Sequence, residues 1–193
     1  MKETILIITF IAIVFVFVLV HCTEVSYTES FNGEQFLVRN LDDKIDAANM
    51  LADMKTKLKK LTNYIDDKCK SGEDLFINQY NKTIIDRFDF IIFRESTSDS
   101  KFTSYSINKG EEIVFCLRSK IDNKLHDVNE LMYVAIHEIA HVGCPEIGHT
   151  PLFKRINKDL LNYGIECGVY KYKNYNLYPE DYCGIELSNT ILN

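Results

Sequence analysis

Apolar positions along the chain change their period several times, and each change marks an element. Residues 5–20 are apolar except for Thr9, a run of 16 with no polar face. A helix hydrophobic all round is predicted there, and at 1.5 Å per residue it would reach about 24 Å. With His21, Cys22 and Thr23 extending it at the interface, the run reads as an uncleaved transmembrane signal anchor over residues 5–22, behind a lead of residues 1–4. A cleaved signal peptide would show a more basic start and a small-residue cleavage site. Residues 23–39 are polar, carry no period and read as a stalk. From Asn40, the residues Leu41, Ile45, Ala48, Leu51, Met54, Leu58, Leu61 and Ile65 step by three and four, which predicts a long helix with Asn40 and Asp43 at its cap.

The second half of the chain is equally patterned. Phe90, Ile91, Ile92 and Phe93 follow one another within residues 89–95, the pattern of a buried strand. Residues 102–107 and 113–117 flank Asn108-Lys109-Gly110-Glu111 and predict a β-hairpin. Asp127 and Glu130 have capping-box spacing just before Leu131, Val134 and Ala135, so a helix starts there, and Gly143 and Pro145 end it. Thr150 and Pro151 suit the N-cap and first position of another helix, whose apolar face is Leu152, Phe153, Ile156, Leu160 and Leu161 until Gly164. The elements predict one α+β domain over residues 40–193, behind one N-terminal transmembrane helix. About 150 folded residues suffice for a single core.

Charge narrows the partners. Lys55, Lys57, Lys59 and Lys60 cluster, but Asp and Glu neighbours leave the chain at net −6. The cluster reads as a solvated helix face, and nucleic acid is not an expected partner. Lys2 precedes the apolar run and no Lys or Arg follows it until Arg39. The positive-inside rule then places the domain on the lumenal or extracellular side of a single-pass membrane protein. Secretion after signal cleavage and a cytosol-facing domain are the alternatives. Asn81-Lys82-Thr83 is a lone glycosylation sequon. Beyond Cys22 lie Cys69, Cys116, Cys144, Cys167 and Cys183, an odd number that cannot pair completely. Disulfides are expected in a lumenal domain and buried thiols in a cytosolic one.

The candidate chemistry lies in His137-Glu138-Ile139-Ala140-His141, with His149 eight residues on. On a helix His137 and His141 lie one turn apart on one face and can share a metal ion, while Glu138 can approach a metal-bound water without binding the metal. Three protein ligands plus water make a catalytic zinc site, whereas four protein ligands make a structural one. Chance gives roughly 0.01 such pentapeptides in a chain of this composition. His149 stands just before the second helix, free to point back as third ligand. Glu166, 25 residues after His141, is the alternative third ligand, and Cys144 reads as structural. A metzincin would need Gly at 144 and His at 147, where Cys144 and Ile147 stand, and a later Met, whereas the last is Met132.

HEIAH, a turn with Gly and Pro, and then His149-Thr150-Pro151-Leu152-Phe153 resemble the zinc-peptidase core of the SprT-like and WLM (Wss1-like) families, over roughly residues 110–167. The resemblance implies a zincin-like domain in which His137, His141 and His149 bind Zn2+, Glu138 is the general base and Phe153 packs beneath the site. It also implies that residues 113–117 form the edge along which a substrate peptide lies, with an ordinary core strand as the equal alternative. The expected function is a membrane-anchored zinc metallopeptidase acting on a protein or peptide. The alternative is a non-catalytic, membrane-anchored binding protein that retains the fold, with or without a structural metal. Tyr163, Tyr170, Tyr172, Tyr175, Tyr178 and Tyr182 are candidates for a second oxyanion donor, although rings covering the core with wet hydroxyls is the plainer expectation.

Overall fold

A computed structural model describes residues 2–21, 23–72, 75–188 and 191–192. Helix α1 (Lys2–His21) forms over the apolar run, and its residues 7–16 are exposed. Among the described residues, however, no helix is long and apolar enough to cross a membrane. The transmembrane anchor expected over residues 5–22 therefore does not hold, nor do the membrane as a partner and the single-pass, lumenal or extracellular placement that rested on it. The physical shortfall is one of length. An apolar run of about 24 Å, broken at Thr9, does not match a hydrocarbon core of roughly 30 Å. Cys22 lies outside the described residues.

Residues 25–39 are not an aperiodic approach. Strands β1 (Val25–Glu29) and β2 (Gln35–Arg39) form an antiparallel hairpin, closed by a turn in which Gly33 takes φ +82°. The alternation is short: Phe36 and Val38 turn inward and Leu37 between them is half-buried. Helix α2 (Lys44–Ser71) follows and ends on left-handed Gly72. It begins later than the spacing suggested, with Asp43 at the N-cap position but making no side-chain cap bond. Its carboxylate instead accepts from Nη1 of buried Arg118 at 2.6 Å, while Arg118 Nε reaches Glu95 at 2.8 Å. Helix α3 (Leu75–Phe88) was unforeseen, although Tyr80, Ile84 and Phe88 keep a step of four.

Strands β3 (Ile92–Glu95), β4 (Tyr105–Ile107) and β5 (Glu112–Phe115) complete a five-stranded sheet ordered β1-β2-β3-β5-β4. The expected strand at 89–95 is shorter and only half-buried, since Phe90 is 81% and Ile92 56% exposed. The expected hairpin forms, with Ser106 opposite Ile113. Helices α4 (Val128–Gly143) and α5 (Pro151–Glu166) precede a small hairpin of β6 (Glu180–Tyr182) and β7 (Ile185–Leu187). The architecture is α+β. α2 packs on β1, β2 and β3 and also touches α3, α4 and α5, so it forms the centre of the core.

Three sequence signals resolve differently in three dimensions. Cys116 and Cys183 are joined as a disulfide, whereas Cys69, Cys144 and Cys167 are free thiols. Lys55, Lys57 and Lys59 pair with Glu34, Asp53 and Asp89. Asn81, the sequon acceptor, is 1% exposed inside α3, so the folded chain presents no amide there for a glycan.

Candidate active site

Helix α4 starts where its cap predicts: Asp127 accepts from the Asn129 backbone N–H at 2.8 Å. Its capping-box partner has another neighbour, for Glu130 lies buried 3.7 Å from Nδ1 of His126. Two turns further on, His137 and His141 share a face, with ring centroids 5.0 Å apart. Gly143 ends the helix and has a packing reason of its own. A Cβ there would stand 2.8 Å from Ile84 Cδ1, so α3 crosses α4 at a point with no room for a side chain. The chain reverses through Gly148 at φ +82°, which brings His149 back over α4.

The three rings converge. The His149 centroid lies 4.9 Å from that of His137 and 5.2 Å from that of His141. Nε2 of His137 and Nε2 of His149 are 3.0 Å apart. One nitrogen from each ring lies within 4.8 Å of the other two. Thr150 then caps α5 by accepting from the Phe153 N–H at 3.3 Å, which places Phe153 under the cluster. Its ring stacks on His141 at 4.1 Å and meets His137 edge-on at 4.9 Å.

A strained turn holds the loop that carries His149. Asn108 and Lys109 take φ +48° and +57° ahead of Gly110 at +98°, a costly run for residues with a Cβ. Gly110 is obligatory, since a Cβ would fall 2.7 Å from Val142. The turn aims the Lys109 ammonium at the carbonyls of Cys144 (2.7 Å) and Glu146 (2.6 Å), both between His141 and His149.

Electrostatics suit a metal. Burial, reinforced by the neighbouring imidazoles, lowers His137 to about 3, and burial with His149 and the Lys109 ammonium nearby lowers His141 to about 4. Both rings are therefore neutral at pH 7 and keep a lone pair for a ligand. Glu138 is 5% exposed, and burial raises its carboxyl to about 7 although the Ser106 backbone N–H donates to it. Three imidazole nitrogens with neither thiolate nor carboxylate among them make a donor set that fits zinc.

These groups line a cleft of about 720 Å³ whose remaining walls come from β4, from Tyr133 and Val134 on α4, and from Ile185 and Leu187 on β7. The edge expected at residues 113–117 is not there. β5 is enclosed between β3 and β4, and β4 is the outer strand beside the cleft. Glu166 is elsewhere, its carboxylate accepting from the Tyr64 hydroxyl at 2.6 Å. Cys144 contributes its carbonyl to Lys109 and its thiol is outside the histidine cluster. Of the six late tyrosines, Tyr182 lines the cleft, its hydroxyl 2.6 Å from Ser104 Oγ. Tyr170, Tyr175 and Tyr182 are buried rather than wet at the hydroxyl end, and desolvation pushes Tyr170 up to about 12.

Sequence reasoning missed Ser106, Lys109, Tyr133 and the β7 wall, which reach the site only through tertiary structure. Asn157 did leave a trace. It is a polar residue four positions after Phe153 on the buried face of α5, and its Nδ2 lies 3.4 Å from His137 Nδ1.

Over 190 residues the chain is 34% identical to the uncharacterized protein R325 of Acanthamoeba polyphaga mimivirus, a match that spans 97% of this chain and 94% of that protein. The chain belongs to the family of R325. Shorter matches join it to protein 042R of Invertebrate iridescent virus 3 (40% identity over 82 residues) and to protein 136R of Invertebrate iridescent virus 6 (44% over 69 residues). These cover 42% and 35% of this chain, and 50% and 38% of those proteins. Among solved structures, Wss1 from Saccharomyces cerevisiae aligns with 68% of this chain and 88% of its own, at 16% identity and a TM-score of 0.49. No family model matches the chain.

Proposed function

We propose that this chain is a zinc-dependent metallopeptidase that hydrolyses peptide bonds in a protein or peptide, with His137, His141 and His149 as metal ligands and Glu138 as general base. The observation that carries the reading is the buried Glu138 carboxyl beside three converging imidazoles in one cleft. A structural metal has no use for a base in that position, and a closed structural site would have a fourth protein ligand.

Each residue has a defined task. His137 and His141, held neutral by burial, offer lone pairs without first releasing protons. The three rings would hold zinc, and its Lewis acidity would polarise a carbonyl and lower the pKa of water from 15.7 toward about 7. Glu138, poised near neutrality, takes a proton from the attacking water and returns it to the leaving amine. The Ser106 N–H fixes the carboxylate while it does so. β4 leaves its outer edge to the cleft, so an extended peptide can pair with it, main chain to main chain.

Zinc content and hydrolysis of an unstructured protein such as casein test this on the full chain. Wild type is expected to hold about one zinc, to lose it in H149A, and to keep it in E138Q while hydrolysis falls by roughly 100-fold or more. A folded wild type that takes up no zinc on reconstitution sinks the reading, as does an E138Q variant as active as wild type. Zinc retained in H149A would remove His149 from the ligand set.

A further inference from the structure

We infer that Asn157 is a positioning residue whose side-chain oxygen accepts the Nδ1 proton of His137 and thereby turns the Nε2 lone pair toward the metal. The inference rests on the metal-centre reading above and concerns a residue outside the HExxH motif and its third histidine.

Asn157 is 3% exposed and occupies a face of α5 otherwise built from Phe153, Ile156, Leu160 and Leu161. An amide on such a face is costly unless both of its ends are bonded. One end is not. Oδ1 is buried without a partner, while Nδ2 lies 3.4 Å from His137 Nδ1. The two ends of an amide are nearly the same shape, so their assignment follows from the bonds they must make.

The chemistry of His137 selects the assignment. A neutral imidazole has one proton for two nitrogens. If the Asn157 NH2 donates to Nδ1, the proton sits on Nε2, which faces His149 Nε2 at 3.0 Å and points into the ligand cluster. His137 could not then bind a metal. If the amide is turned over, Oδ1 takes the place near Nδ1, accepts its proton and leaves Nε2 bare. A single rotation gives the oxygen a donor and the cluster its lone pair, and moves the unpaired end of the amide from the oxygen to the NH2. Phe153 and Asn157 stand one helical turn apart, so the same face of α5 supports His137 twice, by ring contact and by hydrogen bond.

A purely structural role and the positioning role predict different things. The test measures zinc affinity by chelator competition, metal-free thermal stability, and the His137 tautomer by 15N NMR, for wild type, N157L, N157D and H149A. In N157L, zinc binding is expected to weaken by about 10- to 100-fold while the metal-free melting temperature holds or rises, because a buried amide paired at one end only has been removed. In N157D, which can only accept, zinc binding is expected to match or exceed wild type. The wild-type His137 proton is expected on Nδ1 even without metal, so the tautomer decides the question if N157L fails to fold. Zinc binding sensitive to H149A but unchanged in N157L, an N157D variant as weak as N157L, or a proton found on Nε2 would each overturn the role of Asn157 alone. A wild type that binds no zinc would overturn the metal centre and this inference with it.

Discussion

At the scale of single residues, Glu138 and the histidines pull stability in opposite directions with pH. The Glu138 carboxyl is raised from 4.5 to about 7 in the fold, so its contribution is fully present below pH 4.5 and is lost as pH rises through 7. That amounts to about 3 kcal/mol. His137 and His141 are held below their ordinary 6.5, so their contribution is complete above 6.5 and is lost as pH falls. Comparing metal-free wild type with E138Q cancels the histidines. Urea denaturation across pH 4.5 to 7.5 should show the stability difference shifting by about 3 kcal/mol against wild type as pH rises. A difference that stays flat would mean that Glu138 is not desolvated. The shared face of His137 and His141, with Glu138 next to the first of them, was legible because helix geometry is local. Ser106 and Tyr182 were not, because nothing near them in sequence shows that they face the same cleft.

At the scale of elements, caps and turns were legible where they bond to close neighbours and misleading where they do not. Asp127 and Thr150 cap α4 and α5 as their spacing suggests, since their partners lie within three residues. Asp43 fails as a cap because Arg118, 75 positions away, takes its carboxylate. β1 and β2 escaped notice because five-residue strands with two fully buried apolar side chains leave little alternation to read. Gly143 offers a test of the α3–α4 contact. In an ordinary helix interior Ala is more stable than Gly by roughly 0.5–1 kcal/mol. In G143A the new Cβ would meet Ile84 at 2.8 Å and the Tyr80 carbonyl oxygen at 3.1 Å. The sign should therefore reverse, with a loss of about 1–3 kcal/mol by denaturant unfolding. A G143A protein as stable as wild type would show that α3 yields easily.

For the whole molecule, the order of strands was beyond the pattern of the chain. Hairpin pairing of β4 with β5 could be read, but the parallel pairing of β5 with β3 places β5 inside the sheet and gives β4 the outer edge. Cysteine counting likewise bounded the disulfides without choosing one. Cys116–Cys183 spans 67 residues, and closing a loop of that length stabilises by about 4 kcal/mol in the chain-entropy model. The double variant C116S/C183S should lose about that much in urea denaturation. A loss under about 1 kcal/mol would mean that packing alone holds the β6–β7 wall. The same bond has a further consequence under the proposed peptidase activity. α4, His149 and α5 all lie between Cys116 and Cys183, so the helices around the histidine cluster sit within a covalent ring. A single self-inflicted nick inside that ring would release no fragment. The nicked protein would run at full mass on a gel until reductant separated its two pieces.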